Sequence, residues 1–411
     1  MAAMSSPARP AFALFLALAA FAESTSDPLD AWTRAKVRPL TSTPGRHSIH
    51  AYINTTPESP DGKFVLFYTS TEREGYSGEI RIADRATGKE EILVRNVTVE
   101  DAHRAACQQW VSGGKRIVFH DYRGGEWMVL TVDIATKKER ILAKGRMVSW
   151  GQPAHDLVPI YGPHWAPGEH RDLELVNAAT GEIRKVVRAD EVRARYSEMV
   201  AKEFGSWPIS IFFPVLSPDL KRVFFKLATP KGTDFRSKDA SHREQLIAYH
   251  LDEKRFLFGR ARWGHPAWLP DSRTIMNMNM NNVLIDSDDG AERTIPGLPV
   301  FRGSHPSVSP LGDLWVTDSL MESFGGKPGE WGVALAGMRG GRHEFLHRFD
   351  NGRGAASWRV SHPHPAFSSD GQRVYFNVND TSWTQLYVAE LPPPERSPSV
   401  RAPTAPSRAT R

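Results

Sequence analysis

Short runs rich in Val, Ile, Leu and Phe alternate with small clusters of Ser, Pro, Asp and Gly along most of the chain. This pattern predicts β-strands joined by tight turns. One unit recurs: a short apolar strand, a turn of the Ser/Pro-Asp-Gly type, and a second strand. It reads SPDGKFVLFYTS at 59–70, VSGGKRIVFHD at 111–121, SPDLKRVFFK at 217–226, LPDSRTIMNM at 269–278, SPLGDLWVTD at 309–318 and SSDGQRVYFN at 368–377. A weaker copy, GQPAHDLVPIYG at 151–162, makes seven.

Several copies continue into a third strand and a second turn, as in EIRIADRATGKEEIL, MVLTVDIATKKERIL, LELVNAATGEIRKV, QLIAYHLDEKRF and VLIDSDDGAERTI. Four strands repeating at about 40 to 60 residues are the signature of propeller blades. The chain is therefore expected to be all-β, a seven-bladed β-propeller spanning 23–391 as one domain. Its last copy ends in QLYVAEL and meets Pro392-Pro393-Pro394, so the stretch between Trp32 and Tyr52 is expected to supply the missing strand and close the ring. DEVRARYSEMVAKEF, from Asp190 to Phe204, is the one helix expected, inserted before the fourth blade.

The ends have a different composition. Arg9-Pro10, the apolar run from Ala11 to Ala22 and the small residues before Glu23 have the layout of a secretory signal peptide over 1–22, with the cut after Ala22. The run is too short for a spanning helix, and a periplasmic or secreted protein is expected. Residues 392–411, rich in Pro and Arg, read as a disordered tail. These ends also carry most of the charge: +1 in the first and +3 in the last, leaving +1 of the formal +5 on the core. With no basic stripe left, a nucleic-acid partner is not expected. Cys107 is the only cysteine, so neither an internal disulfide nor a Cys-based zinc site can form.

The candidate chemistry lies in the histidines. His265, His305 and His364 each precede a Pro that opens a first strand, in HPAWLPD, HPSVSP and HPAFSSD, and His362 precedes His364 by two. These positions lie at the same end of blades five, six and seven, so the ring should gather them at one mouth of the central channel. Converging imidazoles suit a divalent metal. The alternative is that His-Pro only leads the chain into its strand. A second set lies on blades two to four. His103 stands ahead of Gln108-Gln109-Trp110, and His120 ends the paired strand. Tyr161 and His164 close the matching strand of blade three, with Arg171 in the loop beyond and Arg243 in the corresponding loop of blade four. Such groups can serve acid/base chemistry on an anionic substrate.

SHPHPAFSSDGQRVYFNVND at 361–380, with GHPAWLPD and GSHPSVSP, resembles the β-propeller polysaccharide lyases, above all the oligogalacturonate lyases. AHRAACQQW, FHDYRGGEW and IYGPHWAPGEHRDLELVNAATGE are also similar to propeller ulvan lyases. The resemblance covers most of 45–391. It implies a manganese-type ion held by His305, His362 and His364, with zinc or calcium as alternatives. A Gln ligand is expected three residues before the first His of HPHP, where this chain has Arg359, and a guanidinium is no metal ligand. The resemblance also implies that His265 and Arg243 act on the sugar. The ulvan-lyase similarity implies His103, His120, Tyr161 and Arg171 as the acid/base and carboxylate-neutralising set.

The implied reaction is β-elimination on an acidic oligo- or polysaccharide, oligogalacturonate first and ulvan next. A His base takes the C5 proton of a uronate while Arg or a metal neutralises its carboxylate. No paired carboxylates of the glycosidase type are needed. The competing expectation is a non-catalytic propeller that binds protein or glycan, because a fold does not by itself confer an activity. A peptidase propeller is not expected, since no GxSxG elbow is present.

Overall fold

The recurring turn is built in the same way in three of its copies. In a computed structural model of the chain, which describes residues 27–392 apart from 102, 233, 238, 279–281, 304 and 352–361, the Ser59 hydroxyl donates to Asp61 at 2.6 Å and accepts from the Phe64 amide at 3.0 Å. Ser217 does the same with Asp219 and Arg222, and Ser368 with Asp370 and Arg373. The fourth turn residue takes a left-handed backbone, with φ of 71° at Gly62, 72° at Gly312 and 70° at Gly371, where glycine adds no Cβ clash. The signal peptide expected over 1–22, the tail beyond Pro392 and Arg359 lie outside the described residues.

These turns organise seven four-stranded antiparallel sheets in a ring, a seven-bladed β-propeller. Blade one runs His47–Ile49, Phe64–Ser70, Ser77–Asp84 and Glu90–Thr98, and the next five blades repeat this order. Blade seven takes its fourth strand from the other end of the chain: Lys36–Pro39 pairs antiparallel with Gln385–Glu390. A buried ionic clasp reinforces the closure. The Glu58 carboxylate accepts from Arg373 Nε at 2.7 Å and Nη2 at 2.9 Å, and from the Tyr375 hydroxyl.

Neighbouring blades are tied by tryptophans. Trp110 Nε1 donates to the Pro57 carbonyl at 2.9 Å, and Trp268 Nε1 to that of Val215 at 3.0 Å. Burying such large rings between sheets while satisfying their N–H groups holds the ring in register.

Three elements differ from the sequence expectation. The insertion is two helices, Ala189–Arg195 and Ser197–Phe204, broken at Tyr196. Tyr196 turns toward blade four, where a Cβ on Gly259 would lie 2.8 Å from its ring, while Val192, Val200 and Phe204 are buried between blades three and four. A one-turn helix, Leu29–Trp32, buries both terminal residues against blades six and seven. Arg243 lies within strand Ser241–His250, not in a loop, because that strand extends past a bulge at Gln245, φ 70°. No helix among the described residues is long and apolar enough to cross a membrane.

Candidate functional site

The inner strands lead toward the channel axis, and the residues at their starts surround one mouth. A pocket of about 320 Å³ opens there, lined by Tyr52, His103, Lys226, Arg243, His265 and His305 among others. A cavity of similar volume at the opposite ends of the same strands is lined by Asn54, Gln152, Trp268, Val308 and Phe367, and none of its lining side chains titrates. The chemistry therefore belongs to the first mouth.

Four imidazoles converge at the floor of that pocket. One ring nitrogen from each of His103, His305, His362 and His364 lies within 4.8 Å of the others. The rings of His103 and His364 are 4.2 Å apart between centroids, and those of His305 and His364 4.5 Å. His364 takes a left-handed backbone, φ 45°, which is costly for a residue with a Cβ and places its ring under the other three. Tyr52 packs edge-on against it at 4.8 Å and stacks on Trp150.

Surrounding residues orient these rings. His305 Nδ1 lies 2.9 Å from Asp318 Oδ2, so Nδ1 carries the proton toward the carboxylate and Nε2 is left as the donor atom. Asp318 is fully buried and also accepts from the His305 amide at 3.2 Å. Gly303 allows this approach, since a Cβ there would lie 2.1 Å from Asp318 Oδ1. Beneath the cluster, His50 Nε2 bonds the His364 carbonyl, and Asn377 accepts from the His50 amide at 3.2 Å.

This donor set fits a metal ion. His364 is buried, and neither ring nitrogen has a hydrogen-bond partner among the described residues, an arrangement that is costly unless a ligand satisfies it. Burial foremost, and then His103, His305, His362 and His50, hold its pKa well below the ordinary histidine value, so it is neutral and able to ligate. Four imidazole nitrogens suit a first-row transition ion and argue against calcium, which takes oxygen ligands. The fourth donor is His103, which the sequence had grouped with the acid/base residues. Its ring lies 4.9 Å from that of His362, although the two come from blades two and seven.

The pocket wall carries Arg104, Lys226 and Arg243, with Asp101 as the one carboxylate among its lining residues. The His265 ring is 4.3 Å from that of His305 and lines the pocket without joining the four-histidine group. The guanidinium carbons of Arg104 and Arg243 each lie 5.7 Å from the centre of the Phe212 ring. Lys226 Nζ sits 3.4 Å from the centre of the Trp263 ring.

The rest of the second set is dispersed. His120 is fully buried against Trp127, and burial first, then Arg104, pushes its pKa down to about 3. Tyr161 is also fully buried, with its hydroxyl 3.5 Å from Arg104 Nη1 and its pKa raised by burial. Arg171 lies outside the pocket, 3.7 Å from Asp190 at the helical insertion. His164 belongs to a buried network with Glu100 at 3.1 Å and Ser241 at 2.6 Å. Glu100 also pairs with Arg104 at 2.6 Å, which fixes the guanidinium at the pocket edge.

Sequence reasoning did not single out Asp318, Lys226, Arg104 or Tyr52, although a signal for two of them was present. The tenth residue of the repeat unit returns each second strand to the functional mouth. Counted from the Ser that opens the turn, or its counterpart in blade two, it is His120, Lys226, Asp318 and Asn377 in blades two, four, six and seven.

No protein-family model and no curated protein sequence matches the chain. Its fold does match solved structures. An oligogalacturonate lyase in complex with manganese is 18% identical with a TM-score of 0.60, covering 87% of this chain and 93% of that one. An oligogalacturonate lyase from Vibrio parahaemolyticus is 16% identical with a TM-score of 0.59, covering 88% and 94%. A chain of the mitotic checkpoint complex is 12% identical with a TM-score of 0.51, covering 93% and 98%. Such likenesses establish the propeller and leave its chemistry to the site.

Proposed function

We propose that this protein is a secreted or periplasmic lyase that cleaves an acidic oligosaccharide by β-elimination at a uronate, with oligogalacturonate as the leading substrate. The observation that carries this reading is the convergence of four imidazoles beside Arg104, Lys226 and Arg243 at one channel mouth. The structural likeness to oligogalacturonate lyases, one of them described with manganese, supports the same reaction class.

His103, His305, His362 and His364 would hold the ion, manganese by likeness or zinc by donor chemistry. A divalent ion in that position supplies positive charge beside an anionic sugar group. Arg243 on the adjacent wall supplies a permanent cation for the uronate carboxylate, whose charge grows as C5 loses its proton. His265, outside the four-histidine group, faces the sugar, and burial foremost holds its pKa well below the ordinary histidine value. Tyr52 and Phe213, edge to face, add an aromatic surface to the pocket lining against which a sugar ring can pack.

The test is incubation of the full-length protein with a panel of uronic oligomers, followed by ultraviolet absorbance of the unsaturated C4–C5 product. Growth that is abolished by His305→Ala and by chelation, and restored by metal, supports the reading. Absence of product across the panel refutes it in favour of a binding propeller.

A further inference from the structure

Lys226 is unusual in its setting. It lies midway along the second strand of blade four, Arg222–Pro230, at the register where blades six and seven place Asp318 and Asn377. Those two residues hold imidazoles and backbone in place. Lys226 instead directs its amine into the pocket and is 2% exposed. Nζ lies 4.7 Å from the centre of the Phe213 ring and 3.4 Å from that of Trp263, and no ion pair or hydrogen bond to it is found among the described residues. The charged groups acting on it are Arg243 and Arg104, both repulsive, with Glu244 weaker and opposed and His265 beside it; Asp101 lines the same pocket and accepts from the Arg104 amide.

A buried ammonium with no carboxylate partner and two guanidinium neighbours is poorly stabilised. Loss of the proton relieves both burial and repulsion, and this is a known way to make an amine a base at neutral pH. Burial first and Arg243 next hold the Lys226 pKa well below the ordinary lysine value. If the residue served only to bind an anion, an arginine would do so without the risk of losing its charge.

We propose that Lys226 is a catalytic base of the pocket, taking the C5 proton of the bound uronate and returning it to the departing O4. This rests on the lyase reading above. The C5–H bond breaks toward Nζ, its electron pair forms the C4–C5 double bond, and the C4–O4 bond breaks. The resulting ammonium protonates O4, which restores the neutral amine with no further reactant. His265 is then left to hold the sugar rather than to abstract the proton.

Two measurements on the full chain test this. In protein carrying 13C-labelled lysine, the Cε resonance of Lys226, assigned by its loss in Lys226→Arg, is followed over neutral to alkaline pH. The same variant, which keeps a positive charge but cannot act as a base, is assayed on a uronic oligomer that the wild type cleaves. Support is a titration well below the ordinary lysine range together with a roughly 10²–10⁴-fold fall in kcat at nearly constant KM. Wild-type cleavage combined with an ordinary lysine titration, or with an active Lys226→Arg, overturns the base assignment and leaves the lyase reading intact. Failure of the wild type to form unsaturated product on any uronate overturns the lyase reading and this inference together.

Discussion

Asp318 and His305 lie 13 residues apart and meet as a buried pair, with carboxylate oxygens 2.9 and 3.0 Å from Nδ1. The carboxylate fixes the ring's tautomer and its direction, so a single hydrogen-bonded contact makes Nε2 a donor atom aimed at the other three histidines. Asp318→Asn is expected to weaken metal binding by about 10–100-fold while leaving the fold intact. Calorimetric titration of the chelated protein with manganese and zinc checks this.

His103 comes from blade two, yet it stands as close to the cluster as the blade-seven histidines. His103→Ala is therefore expected to lose bound metal as fully as His305→Ala, whereas His265→Ala retains it. Metal content by mass spectrometry after reloading separates the three variants. Equal retention in His103→Ala and His265→Ala would remove His103 from the ligand set.

The clasp between Glu58 and Arg373 joins the first turn of the ring to its last blade. Removing Glu58 leaves Arg373 with the half-exposed Asp370 at 2.6 Å as its main partner and takes the acceptor from the Tyr375 hydroxyl, so Glu58→Ala is expected to cost about 1–3 kcal/mol. Denaturant titration measures the loss, and a double variant that also replaces Arg373 should recover part of it.

His164 gives the protein a sensitivity to acid. Burial foremost pushes its pKa from 6.5 down to about 4 against the opposing pull of Glu100. The unfolded chain then binds the proton more readily than the folded one. Stability is at its full value above pH 6.5 and falls as pH drops toward 4, by roughly 3 kcal/mol for this group. His164→Gln should flatten the slope of stability against pH in that interval, as read from denaturation midpoints.

The sequence by itself determined the all-β class, the seven units, the strand stretch that closes the ring and the His-Pro series at one end of blades five to seven. It could do so because turn chemistry and strand alternation are local, and a fixed repeat carries each residue's place in one blade to the next. The tertiary structure decided which side chains meet at the axis. His103 reaches the cluster through the path of a loop, and His364 through a left-handed backbone. His120 and Tyr161, at equally promising positions, turn into the packing between blades, where burial removes them from the pocket. Lys226 is directed inward beside Phe213, which has φ 54° at a bulge that no periodic reading of the chain predicts. Contacts of this kind join residues far apart in sequence, and their geometry depends on local departures from the repeat rather than on the repeat itself.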